Sequence, residues 1–251
     1  MIFLPRYFAG SSDLQSPTDP DSEEEDIIQH VPSTLQFLSE HQTQKAQCVT
    51  VDHHSVTGDI LLGCSDGMKR FKKANYEIEK ISKHSTALVV EHKGEIFLSS
   101  HDENKTVIKV SNYDTDKKTS ELIYSFPMKA KVTSHLSVSE RFIASIDKDT
   151  NKIKLFNRKY SQSGLIDVNV IEIKELKNLL FISEDLLLVT GWDSDGKDML
   201  NNYRINGSDL DLIWSCDQVP YEPCGIALDD TGMIYVSVLK TRTIYVLDKK
   251  G

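Results

Sequence analysis

The chain repeats one pattern. Five times, a short apolar run is followed by a tight polar turn and a second apolar run. The pattern is clearest near the end. Residues 225–228, the turn Asp229-Asp230-Thr231-Gly232, residues 233–238 and residues 243–247 read as three strands rich in β-branched and aromatic residues. Weaker copies begin at 49–52, 87–91, 135–138 and 179–182. The turns at positions 58, 94, 140, 184 and 232 are spaced by 36, 46, 44 and 48 residues. A third strand follows each pair, at 68–71, 107–110, 153–156, 202–205 and 244–247. Four repeats add a fourth, at 76–81, 121–126, 166–173 and 209–214. A three- or four-stranded meander cannot bury both its faces alone. Four strands recurring every 40 to 50 residues predict an all-β chain, a β-propeller of four-stranded antiparallel blades with five blades readable. Helix-period patterns are scarce.

The last repeat carries a more specific signal. Pro223-x-Gly225-Ile226-Ala227-Leu228-Asp229-x-x-Gly232-x-Ile234-Tyr235-Val236-Ser237, followed by Ile244-x-Val246-Leu247-Asp248, resembles an NHL repeat. Such repeats build the propeller at the C-terminus of tripartite-motif-like proteins. Residues 87–100 match in part, and the other three repeats share only the hydrophobic pattern. The resemblance implies a six-bladed ring that recruits substrates for a ubiquitin ligase. Two departures qualify it. Val238-Leu239 stands where the family has an acidic residue. None of Cys48, Cys64, Cys216 and Cys224 forms a C-x-x-C pair, so this chain encodes no RING. The WD40 signature is absent, because Trp192-Asp193 follows a second strand rather than a third.

Charge divides the chain. Residues 1–45 hold eight carboxylates against Arg6 and Lys45, about −6 of the total −9. Residues 1–33 lack periodicity and include Asp21-Ser22-Glu23-Glu24-Glu25-Asp26, which predicts an acidic disordered tail, with Ser22 and Ser16-Pro17 as phosphorylation candidates. The propeller takes up residues 34–251. The last repeat stops after its third strand, so 34–38 is read as an N-terminal strand that closes the final blade. A complete five-bladed ring and a piece of a larger one both remain open. Cys48 and Cys64 fall opposite each other in one hairpin. Buried reduced thiols are the reading for a cytoplasmic protein, with Cys48/Cys64 and Cys216/Cys224 pairing left open. No apolar stretch is long enough to span a membrane.

Loops between second and third strands share one face of the disc with the blade-to-blade connectors. Propellers bind with such a face, because loops vary while blades hold them rigid. The candidate partner-binding residues are Trp192, Asp193, Lys240, Arg242, Asp102 and Lys148, with Trp192 expected in a polar loop at 191–198. A protein partner is expected, with no DNA and no cofactor. RNA binding is an alternative through Lys69, Arg70, Lys72 and Lys73, disfavoured by the acidic balance. The catalytic alternative is a propeller hydrolase or lactonase with a metal in the central channel. His84, His92, His101 and His135 fall in different blades, and no ligand type recurs at one blade position. No phosphate loop, dinucleotide fingerprint or nucleophile elbow occurs, and no catalytic residue is assigned.

Overall fold

Strands wet on one face alternate apolar and polar residues, but several strands here are apolar throughout. Phe142-Ile143-Ala144-Ser145-Ile146-Asp147 is buried at all six positions. Such a strand must be covered on both faces. The computed structural model shows how. It describes residues 29–30, 48–64, 67–74, 77–81, 86–102, 107–114, 117, 119–127, 135–159, 165–168, 170, 173–216, 223–229, 231–238 and 241–248.

Among the described residues, twenty strands form five antiparallel four-stranded sheets, each a blade of a propeller. Blade 1 is β2 (Cys48–His53), β3 (Ile60–Cys64), β4 (Gly67–Phe71) and β5 (Ile78–Lys80). Blade 2 is β6 (Thr86–His92), β7 (Glu95–Asp102), β8 (Val107–Asp114) and β9 (Thr119–Pro127). Blade 3 is β10 (Leu136–Val138), β11 (Phe142–Asp147), β12 (Lys152–Asn157) and β13 (Leu165–Val168). Blade 4 is β14 (Glu175–Phe181), β15 (Leu186–Trp192), β16 (Asp198–Asn206) and β17 (Asp209–Cys216). Blade 5 is β18 (Pro223–Leu228), β19 (Ile234–Val238), β20 (Thr243–Leu247) and β1 (Gln29–His30). No helix among the described residues is long and apolar enough to cross a membrane.

Odd and even residues of one strand serve different cores. In β11, Phe142, Ala144 and Ile146 pack with Leu176, Leu187 and Val189 of blade 4, while Ile143 packs with Leu88 and Phe97 of blade 2. In β7, Ile96 and Leu98 meet Leu61 and Met68 of blade 1, and Phe97 turns to blade 3. In β15, Leu187 and Val189 face blade 3, and Leu188 joins Ile234 and Val236 of blade 5. Each such Val, Leu, Ile, Met or Phe side chain stabilises by about 1.5–3 kcal/mol on burial.

Inner strands expose an unpaired edge toward the axis, and side chains of the preceding blade satisfy part of it. Thr50 Oγ1 accepts the Val89 N–H at 3.0 Å. Asp52 Oδ2 accepts the Glu91 N–H at 2.6 Å. Ser137 Oγ accepts the Phe181 N–H at 2.9 Å. On the lower face, turns between first and second strands link blade to blade. Ser55 bonds Glu91, Lys93 pairs with Glu140, and Ser139 Oγ donates to the Glu184 carbonyl at 3.2 Å.

The fourth strand of blade 5 comes from the N-terminal side, but not at the expected residues. Gln29 pairs with Val246 and His30 with Tyr245, whereas 34–38 lies outside the described residues. Other boundaries moved as well, two of them at the joint between blades 3 and 4. The fourth strand of blade 3, expected over 166–173, is Leu165–Val168. The first strand of blade 4, expected over 179–182, is Glu175–Phe181. Its polar start, Glu175-Leu176-Lys177-Asn178, hides the strand because a β-bulge between Leu176 and Asn178 interrupts the alternation. Blades 1, 2 and 5 carry a bulge at the same place, between Cys48 and Thr50, Thr86 and Leu88, and Pro223 and Gly225.

Candidate functional site

On the upper face, the residues where blade 3 meets blade 4 form a connected group. The chain leaves β11 through a tight turn. Asp147 Oδ1 accepts the N–H groups of Asp149 and Thr150 at 3.1 and 3.3 Å, and Asn151 closes the turn at φ 52°. That left-handed conformation suits Asn among non-glycine residues. Asn151 then grips the incoming connector. Its Nδ2 donates to the carbonyls of Ile173 at 3.3 Å and Lys174 at 2.7 Å, and its Oδ1 accepts the Leu176 N–H at 2.8 Å. Lys148 Nζ donates to the Leu176 carbonyl at 2.5 Å.

The connector lies tightly against β15. A Cβ on Gly191 would stand 2.2 Å from the Glu175 carbonyl oxygen and 2.3 Å from Ile173 Cγ2, so no side chain fits there. The Lys174 N–H donates to the Trp192 carbonyl at 2.6 Å, and Glu175 is the register partner of Trp192. The bulge at Lys177 frees that residue from the ladder. Its ammonium sits 3.8 Å from the centre of the Trp192 ring and pairs with Glu175. Bulges commonly re-aim a side chain in this way. Trp192 is half-buried, with a cation over its ring.

The electrostatics follow from this crowding. Burial lowers the pKa of Lys148, and the nearby Lys177 cation lowers it further, while Glu175 opposes both. Burial, aided by Lys148, pushes His135 down to about 4. His135 is therefore neutral at pH 7.

The expected site residues fall as follows. Trp192 is the last residue of a strand, not a loop residue, and the loop expected at 191–198 is confined to 193–197. Strand pairing runs through Gly191 and Trp192 to Asp198 because the connector supplies partners on one side and β16 on the other. Asp193 shapes that loop. Its Oδ1 accepts the N–H groups of Asp195 and Lys197 at 2.9 and 2.8 Å. Lys148 and Trp192 belong to one group through the connector. Asp102 ends β7 on blade 2, Arg242 stands in the turn before β20 at φ 56°, and Lys240 lies outside the described residues. Of the basic run, Lys69 is buried, Arg70 Nε stands 3.6 Å from Asp59, and Lys72 pairs with Glu79 at 3.2 Å. The Lys73 N–H donates to Asp59 Oδ1 at 3.0 Å. Cys48 and Cys64 are register partners, the Cys64 side chain is buried, and Cys216 is a free thiol. Among the described residues no group of three or more His, Cys, Asp or Glu is placed to hold a metal ion.

Sequence reading missed Lys177, Glu175, Asn151 and the part played by His135. Only Asn151 carried a local signal, at the end of the turn Asp147-Lys148-Asp149-Thr150-Asn151.

No family model matches the chain, and no curated protein does. Among solved structures, the calcium-binding protein regucalcin from Agrobacterium tumefaciens is similar with a TM-score of 0.59 at 12% identity. The match covers 78% of this chain and 74% of that one. Likeness at this identity shows the propeller fold alone.

Proposed function

We propose that this chain is a non-catalytic interaction propeller that captures a protein partner on its upper face, with Trp192 as the anchor. The observation that carries this reading is the preparation of Trp192. A large aromatic is held half-buried at the rim, with the Lys177 ammonium at 3.8 Å on its ring and its backbone tied to the connector. Aromatic anchors fixed before contact lose little freedom on binding and dominate interface energies. By its resemblance to NHL repeats, the finer reading is a cytoplasmic substrate-recruiting module for a ligase activity carried elsewhere.

The residues behind that resemblance also have a blade-building role. Asp229 Oδ1 accepts the N–H groups of Thr231 and Met233 at 3.0 and 2.8 Å, its Oδ2 accepts the Tyr235 hydroxyl at 3.0 Å, and Gly232 turns at φ 89°. The resemblance therefore supports the blade more strongly than the partner. A double variant, Trp192→Ala with Arg242→Ala, should keep the fold and lose capture of the partner from the protein's own cells. Undiminished capture would remove the assigned face.

The second reading is a metal-dependent propeller hydrolase. The likeness to a calcium-binding propeller favours testing it. Stoichiometric calcium or zinc in the purified chain would displace the scaffold reading. RNA binding ranks third, since the chain carries a net charge of −9.

A further inference from the structure

We infer that Asn151, on blade 3, is a positioning residue for the recognition surface on blade 4. This rests on the reading of Trp192 as the anchor. Trp192 makes no ladder contact with blade 3. What holds its neighbours is the segment from Ile173 to Lys177, the end of the crossing from blade 3 and the start of β14, which carries Glu175 and Lys177 to the indole. A connector of this kind has carbonyl and N–H groups without ladder partners at the joint, and such groups seek bonds elsewhere. Asn151 supplies them at three points in succession, to Ile173, Lys174 and Leu176. It does so from a turn that Asp147 stiffens and with a left-handed backbone that aims the amide across the joint. The side chain acts as a three-point splint: one amide reads two carbonyls and one N–H, a geometry matched by no aliphatic residue of the same size.

The consequence is a surface that spans a joint. Lys174 hands its N–H to the Trp192 carbonyl, and Lys177 lies over the ring, so both depend on where the connector sits. Gly191 lets the connector come close, but nothing in a glycine pulls it down. Asn151 provides the pull, and Lys148 adds one bond at the Leu176 carbonyl. Loosening the splint releases Lys177 from the indole without touching the blade cores.

Trp192 and Trp214 are the two tryptophans of the chain, so Trp214→Phe leaves Trp192 as a single fluorescent reporter in the full-length protein. In that background Asn151→Gly keeps the backbone conformation and deletes all three bonds. Acrylamide quenching of Trp192 should rise by roughly twofold, as for a locally opened segment, and its emission should move to the red. Asn151→Asp keeps the acceptor for Leu176 but turns an oxygen toward the two carbonyls, and should move both signals the same way if the glycine variant fails to fold. Ser139→Ala removes a bond across the same pair of blades on the lower face and should leave both signals unchanged. Unchanged quenching in folded Asn151 variants, or an equal change in Ser139→Ala, overturns the inference. Because this readout needs no partner, it stands apart from capture. Altered Trp192 with undiminished capture supports the splint and overturns the binding face, and altered Trp192 with lost capture supports both.

Discussion

Gly191 offers the sharpest test of how the connector and β15 fit together. In Gly191→Ala the new methyl would stand 2.2 Å from the Glu175 carbonyl oxygen, 2.3 Å from Ile173 Cγ2 and 3.1 Å from the Glu175 carbonyl carbon. Ordinary carbon–oxygen contact lies near 3.3 Å, so the connector must retreat by about 1 Å. Two of the three obstacles are backbone, which no rotamer change can move. The retreat strains the Lys174-to-Trp192 bond and the Asn151 splint together. Overpacking of this kind costs about 1–3 kcal/mol. At about 2–4 °C per kcal/mol for a domain of this size, the melting temperature should fall by roughly 2–12 °C. Gly196→Ala is the control. Gly196 turns at φ 77° with nothing within 4 Å of its Cβ position, so that variant meets backbone strain without a clash. It should lower stability by about 1–2 kcal/mol while leaving acrylamide quenching of Trp192 as it was. Thermal melts by circular dichroism and quenching of the single-tryptophan chain measure both. A Gly191→Ala protein that melts within a degree of the parent, with Trp192 unchanged, would refute the close-packed connector.

Other perturbations probe other joints. His135 is held near pKa 4, below its ordinary 6.5, so the unfolded chain binds the extra proton between these values. That stability is complete above pH 6.5 and declines as pH falls toward 4, by about 3 kcal/mol at the limit. Denaturant titrations at several pH values should show this slope, and His135→Gln should flatten it. An equal slope in both proteins would count against the burial of His135. Gly63→Ala would place a methyl 2.4 Å from Thr50 Oγ1 and displace it from the Val89 N–H. A loss of about 1–2 kcal/mol is expected in chemical denaturation, and no loss would mean that the inter-blade bond adds nothing. Gln29→Pro with His30→Pro should speed amide exchange at Tyr245 and Val246, the register partners of these two residues. Unaltered exchange there would argue against closure by this strand.

Blades were legible in the sequence because a strand's side chains alternate, and that alternation survives in runs such as Ile234-Tyr235-Val236-Ser237-Val238, buried at every second residue. Turns were legible where Asp and Gly do the turning, as at Asp229 and Gly232. Trp192 was legible as a candidate by residue type, but its environment was not. The residues around it come together through a bulge, and a bulge at Lys177 breaks the alternation that would reveal its strand. Asn151 reaches its partners across 22 to 25 residues of chain and bonds only to backbone, so no side-chain pattern marks the meeting. The basic run around Arg70 reads as a patch only until Asp59 and Glu79, one on the previous turn and one on the next strand, are seen beside it.

The pairing of Gln29 with Val246 sets a schedule for synthesis. The Gln29–His30 strand waits for a partner made more than two hundred residues later. At 5–20 residues per second, that is roughly 10–40 s on the ribosome with its backbone unpaired. Blades 1 to 4 can fold in that interval, each on the one before. Blade 5 cannot finish until the early strand is recaptured, and bringing such distant ends together costs about 5 kcal/mol in an otherwise unfolded chain. Two residue pairs cannot offset that alone. The stacked blades must first carry the two segments close to each other, so this pairing forms after the blades between them have stacked. A nascent chain that stalls before Val246 would leave blade 5 with an open edge, a surface that chaperones are suited to hold.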